Sequence, residues 1–163
     1  MKPSTLLLDT WIGQWFGQLL GSQIRFTLLL MSVGLFSAGQ VSAEQKKQLG
    51  PWDVHYIAMP STLIDPVIAK AYQLERTKFQ GLVNISVLNS GDQAAQQVSI
   101  EGVAKNLLGQ QKELVFREVV EGKAIYYLAQ LPYRNEERFT FTLQIKQGDV
   151  SQQLQFTHTF YVD

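Results

Sequence analysis

The chain has 163 residues, 14 basic and 14 acidic side chains, 45% hydrophobic residues and no cysteine. The missing cysteine excludes a disulfide framework, a thiolate metal site, a cysteine nucleophile and a lipid anchor on an N-terminal cysteine. Balanced charge provides no general attraction to nucleic acid or anionic lipid, so nucleic acid is not an expected partner.

In chain order, the first segment is long and nearly uncharged. Trp11, Ile12, Trp15, Phe16, Leu19 and Leu20 recur at helical spacing, with Gln14, Gly17, Gln18 and Gly21 on the other face. An interfacial helix is one reading. An extended leader, or a start placed too far upstream, is the preferred one, because the stretch lacks the basic residues that strengthen membrane attachment. Arg25 then precedes an apolar run from Phe26 to Phe36, and Val41-Ser42-Ala43 offers small residues for a signal peptidase. This order is that of a secretory signal helix, with cleavage expected between Ala43 and Glu44. A retained membrane anchor is the alternative, but residues 26–39 fall short of the roughly 20 that a spanning helix needs. The expected layout is therefore a signal peptide with extended leader over 1–43, a flexible leader over 44–50 and one domain over 51–163. The protein is expected to be periplasmic or secreted, touching the membrane only through its signal segment. The 120 residues after Ala43 are enough for a core of their own.

Pro51 ends the leader. Trp52, Val54, Tyr56 and Ala58 share one face of a first strand, with Asp53 and His55 on the other. Asp65-Pro66 suits the N-cap and first position of a short helix over 67–72, whose Val67, Ile68 and Ala71 would cover one end of a sheet. A second strand places Phe79, Val83, Ile85 and Val87 on one face, before the turn cluster Asn89-Ser90-Gly91-Asp92. Val98, Ile100, Gly102 and Ala104 mark the next strand, and a bend follows around Gly109. A further strand carries Leu114 and Phe116 to Val120. Glu121-Gly122 reads as a tight turn into Ile125, Tyr127, Ala129 and Leu131. Phe139, Phe141, Leu143 and Ile145 alternate with polar residues. After Gly148-Asp149, Leu154, Phe156, His158 and Phe160 share a parity.

About seven short strands with regular turn signals and one short helix predict an all-β fold, an immunoglobulin-like antiparallel sandwich, with a small open barrel as the alternative.

No catalytic, metal or cofactor residues are assigned, and the protein is read as not an enzyme. Only His55 and His158 offer a histidine base. His158 lies on the apolar parity and reads as a half-buried core residue, and His55 as a surface residue. Two histidines 103 positions apart form no zinc signature, and the acidic loops match no calcium site. Asn84-Ile85-Ser86 fits a glycosylation pattern but lies inside an expected strand. What remains is aromatic surface. Tyrosines suit strands, yet so many cannot all be buried in a small core. His55, Tyr72, Tyr126 and Tyr133 are the candidate binding surface.

Three stretches carry a resemblance: Val54-His55-Tyr56 through Asp65-Pro66-Val67-Ile68-Ala69-Lys70-Ala71-Tyr72, then Gly81 to Val87, then Asn106-Leu107-Leu108-Gly109-Gln110 through Tyr126-Tyr127-Leu128-Ala129. With the closing Phe160-Tyr161-Val162-Asp163 they resemble the bacterial domain-of-unknown-function family 4426. The resemblance implies a small secreted or periplasmic protein of Gram-negative bacteria with an immunoglobulin-like fold. It brings no activity, cofactor or catalytic residue. The long stretch before Arg25 departs from the family pattern.

Together these readings predict an exported, non-enzymatic sandwich that binds an envelope protein or peptide. The alternative is a small-molecule or envelope-polymer binder, with or without weak hydrolase activity, using a pocket near His55 and the helix at 66–72. An exposed sheet edge would be able to take a strand from a partner.

Overall fold

The computed structural model describes residues 45–162. The signal segment, with Ala43 and Glu44, lies outside them. Among the described residues nine strands form two antiparallel sheets. The five-stranded sheet has the order β1 (Gln45–Leu49), β2 (Trp52–Pro60), β3 (Gln80–Asn89), β7 (Ala124–Pro132), β6 (Arg117–Glu121). The four-stranded sheet has the order β5 (Gln111–Leu114), β4 (Ser99–Asn106), β8 (Glu137–Gln147), β9 (Val150–Phe160). This is the expected immunoglobulin-like sandwich, with one short helix, α1 (Pro66–Ala71).

The core follows from alternation. Val54, Val83, Ile85 and Val87 of one sheet face Phe139, Phe141, Leu143, Ile145, Leu154 and Phe160 of the other, all fully buried. Aromatic rings fill its centre: Phe141 stacks on Phe156 with centroids 4.7 Å apart, and Tyr133 on Phe160 at 4.6 Å. A second, smaller cluster of Ile64, Ala69, Leu82 and Leu128 lies under α1 on the outer face of the five-stranded sheet. Asp65 caps α1 as expected, its carboxylate accepting from the Val67 N–H at 2.7 Å, with Pro66 at the first position. Ala69 and Ile68 make the contact, however, while Val67 is exposed.

Four expectations need correction. Residues 45–49 are a paired strand rather than a flexible leader, from Gln45 opposite Tyr56 to Leu49 opposite Trp52. The stretch expected as one strand from Leu114 to Val120 divides: β5 pairs with β4, the chain crosses between sheets at Val115-Phe116, and β6 pairs with β7. Those two changes raise the strand number to nine. Phe79 is 52% exposed, because β3 begins only at Gln80. Asp53 is buried: Lys46 Nζ and Gln93 Nε2 each donate to its carboxylate at 3.0 Å. The Gln93 and Lys46 contacts hold its pKa below the ordinary carboxylate value.

Two hairpins turn as the sequence predicts. Glu121 faces Ala124 and Gln147 faces Val150, leaving two-residue loops led by Gly122 and Gly148 at φ +58° and +55°. Positive φ at the first loop position is what a type II′ turn requires.

Candidate functional site

Sandwiches must manage the unpaired backbone of their outermost strands. Four strands here are edges: β1 and β6 of one sheet, β5 and β9 of the other. Three are four or five residues long and carry charge: Lys46 and Lys47 in β1, Lys112 and Glu113 in β5, Arg117, Glu118 and Glu121 in β6. Short length and charge are the usual protections against strand addition. The fourth edge lacks both. β9 has 11 residues, Val-Ser-Gln-Gln-Leu-Gln-Phe-Thr-His-Thr-Phe, with no Asp, Glu, Lys or Arg.

Its pairing with β8 is continuous. The register runs without a bulge from Gln147 opposite Val150 to Glu137 opposite Phe160. Leu154, Phe156 and Phe160 anchor it to the core. Ser151, Gln153, Gln155 and Thr157 are exposed. Among the described residues no strand pairs with the other side of β9.

His158 is half-buried on the core side of β9, as expected, with its ring edge-on to Phe160 at 4.5 Å. Burial pushes its pKa below the ordinary histidine value. A cavity of about 10 Å³ lies beside it, lined by Gln45, Tyr56, Ile57, Ala58, Phe156 and Thr157. That is room for about one water.

The four candidate residues do not form one surface. His55 lies on the outer side of the five-stranded sheet, its parity opposite to that of Val54 and Tyr56, and is half-buried rather than a free surface group. Tyr126 packs at the margin of the cluster beneath α1. Tyr72 ends α1, and its carbonyl accepts from the Arg117 guanidinium. Tyr133 is a correction: it is 4% exposed, stacked in the main core, and its hydroxyl donates to the Tyr161 carbonyl at 3.1 Å. Tyr161 is the exposed one of this pair, at 58%.

A larger, open cleft of about 260 Å³ lies between the end of α1 and the β6–β7 pair, lined by Gln73, Leu74, Val115, Arg117, Leu128 and Gln130. The Gln130 amide closes one wall like a strand, accepting from the Glu75 N–H at 2.9 Å and donating to its carbonyl at 2.7 Å. Its volume is below the roughly 300–1,000 Å³ usual for small-molecule sites. Among the described residues no three His, Asp or Glu side chains gather to hold a metal ion.

The uncharged run of β9 is visible in the sequence. What the sequence withheld was strand order, which alone makes that run an edge.

Comparison with known proteins agrees with this architecture. The model of the family described as Domain of unknown function (DUF4426) matches residues 46–163. The crystal structure of a DUF4426 family protein from Pseudomonas aeruginosa PAO1 is 35% identical, with a TM-score of 0.65 over 74% of this chain and 96% of that one. A copper-bound variant of FetP from uropathogenic Escherichia coli strain F11 is 10% identical, with a TM-score of 0.51 over 73% of this chain and 95% of that one, a likeness of fold alone. The comparison with curated proteins gave no match.

Proposed function

The chain belongs to the domain-of-unknown-function family 4426, and from that premise we propose that it is an exported, periplasmic, non-enzymatic sandwich that binds an envelope protein by accepting an extended segment against β9. The observation that carries this reading is the contrast among edges. A long, unbulged, uncharged edge beside three short, charged ones is the exception that strand addition requires. Each backbone hydrogen bond added contributes about 1 kcal/mol net. The outward Ser, Gln and Thr side chains suit a polar partner strand.

The Arg25 to Ala43 signal pattern supports export. N-terminal sequencing of protein from the periplasmic fraction is expected to begin at Glu44. Full-length protein in the cytoplasm would overturn that part.

The partner claim is tested by a photo-crosslinking residue at Gln155, with a control at Glu121 on the charged edge β6. A specific adduct is expected at 155 only, and Gln153→Lys with Thr157→Lys should abolish it while leaving the circular dichroism unchanged. No adduct at 155, or one that survives both lysines, would refute strand addition. The copper of the FetP variant is not carried over, since no ligand cluster among the described residues supports it.

A further inference from the structure

A free edge strand can pair antiparallel with its own copy about a two-fold axis. β9 spans Val150 to Phe160, so its midpoint is Gln155. Pairing centred there engages all 11 residues. It sets Gln155 opposite Gln155 of the second copy, Gln153 opposite Thr157, and Ser151 opposite Thr159. A centre on a residue preserves side-chain parity, so the outer face of one sheet continues as the outer face of the other. The unbulged register of β9 on β8 holds this whole edge in the extended form that such pairing needs.

The side chains brought together suit one another. Ser, Thr and Gln each carry a donor and an acceptor, so all three outer pairs can close cross-strand hydrogen bonds. On the inner parity, Leu154 of each copy lies beside Phe156 of the other, and the Gln152 amide beside the half-buried His158 ring. No register of β9 on itself sets like charges together, since it has no Asp, Glu, Lys or Arg. β1 behaves oppositely: paired about its own midpoint, Lys47 would face Lys47. The outer-face charges beside the seam are Arg138 and Lys146 of β8, opposite Thr159 and Ser151. Lys146 of one copy and Arg138 of the other would stand three strand spacings apart, about 14 Å, beyond the Debye length of roughly 10 Å at 0.1 M salt. Lys146 is also held by Glu101 at 3.2 Å. The other sheet adds Lys47 of β1, one exposed cation per copy, which salt screens. The formal charge of the chain is zero, so two copies are not driven apart at long range.

We propose that the envelope protein taken up by β9 is a second copy of this chain, the two four-stranded sheets joining into one continuous sheet. The inference rests on the strand-addition reading above and names its partner. β9 offers no charge by which to select a foreign segment, whereas a second copy brings a row that matches it residue by residue. Pairing also covers the edge that lacks the usual protections of brevity and charge. Leu154 and Phe156 are already buried in the single chain, so the pair gains backbone hydrogen bonds but little apolar burial. The dimer is accordingly reversible rather than obligate.

The test uses protein purified from the periplasmic fraction. The chain has no cysteine, so one introduced thiol reports contact without background. Under mild oxidation Gln155→Cys should form a disulfide-linked dimer roughly tenfold faster or more than Ser151→Cys, because residue 155 meets itself at the axis and residue 151 does not. Ser151→Cys mixed with Thr159→Cys should crosslink as a pair. Sedimentation equilibrium should show a concentration-dependent dimer. Gln153→Lys with Thr157→Lys should weaken it roughly tenfold or more by setting lysines opposite each other on both sides of the axis. Gln153→Lys with Thr157→Glu should restore it, because each lysine then faces a glutamate. A monomer at every concentration, equal crosslinking from 155 and 151, or equal weakening by both double variants overturns self-pairing. The photo-crosslinker at Gln155 separates this inference from the reading beneath it. An adduct of twice the chain mass supports both. An adduct to a different protein overturns self-pairing and leaves strand addition standing, and no adduct overturns both.

Discussion

The two sheets share one core but treat their outer faces differently. The four-stranded sheet leaves its outer face wet. In β8 every second residue from Phe139 to Ile145 is buried and the residues between them are not. The five-stranded sheet is covered on part of its outer face by α1 and the turn before it, so Leu82 is buried outward while Val83 is buried inward. Strict alternation belongs to a half-wet strand, and a continuous buried run belongs to a strand covered twice. The edges of the two sheets differ as well. The sheet with the covered face has two short, charged edges, whereas the wet sheet has one, β5, and on its other side the long uncharged β9.

The sharpest way to break the sandwich is to force the two main layers out of register with their neighbours. Gly102 in β4 has no room for a side chain. An added Cβ would stand 2.3 Å from Leu143 Cδ2 and 2.9 Å from the Thr142 carbonyl oxygen, which is backbone and cannot step aside. Gly102→Val is expected to destabilise by roughly 4 kcal/mol or more, read as a lost or strongly lowered urea midpoint. In the other sheet, a Cβ on Gly81 would meet the Phe160 ring at 2.7 Å, with no backbone atom as near. Gly81→Val should cost less than Gly102→Val, because a ring can shift further than a strand.

A gentler pair of changes compares the two clusters directly. Leu143 is fully buried between the sheets and Leu82 is buried under α1. Leu143→Ala is expected to cost roughly 4 kcal/mol and Leu82→Ala roughly 2 kcal/mol. The difference arises because the outer cluster is small and α1 can settle into the space, whereas two sheets cannot collapse around one site. Equal losses in denaturant unfolding would mean that α1 is as rigidly packed as the core.

Legibility followed the same division. The hairpins of β6–β7 and β8–β9, the Asp65 cap and the half-buried His158 were all readable, because each depends on neighbours in sequence. Tyr133 was not. Its position after Pro132 looks like a loop, and only the return of β9 brings Phe160 beneath it. Asp53 reads as exposed because nothing local shows that Gln93 will fold over it, 40 residues away. β1 reads as polar leader since Lys46 and Lys47 hide its pairing, and the same charges protect it as an edge. The candidate interaction surface was hidden for one reason: an edge is a property of strand order, which a single strand does not carry.

Asp65→Ala probes the covering element alone. It removes the acceptor for the Val67 N–H and should cost about 1 kcal/mol. Hydrogen exchange is expected to quicken in residues 66–71 while β8 is unchanged. Faster exchange throughout would show that α1 is part of the cooperative core rather than a lid on one sheet.

The smallest effect lies at the rim where β9 meets β2, and it is set by pH. His158 is half-buried beside Phe160 and next to a cavity shared with Tyr56 and Phe156, with no acid among the residues lining it. Burial alone lowers its pKa from 6.5. Below that value the unfolded chain takes up a proton that the folded chain resists, so stability is complete above about pH 6.5 and declines as pH falls toward the folded value. His158→Phe keeps a ring in place and should flatten the stability curve below the ordinary histidine value of about 6.5. It should leave a separate loss at lower pH. Glu137 is pushed up by burial, but the Asn106 amide, the Arg134 N–H and Lys112 together hold it below its ordinary 4.5. Asp53 is likewise held below 3.8. Both contribute stability that is present above their ordinary values and lost as pH falls through the lowered ones. Two separated declines in the native protein, the upper one absent in His158→Phe, would assign the first to the sandwich rim and the second to the ends. A single decline unchanged by the substitution would show that β9 admits the charged ring without cost.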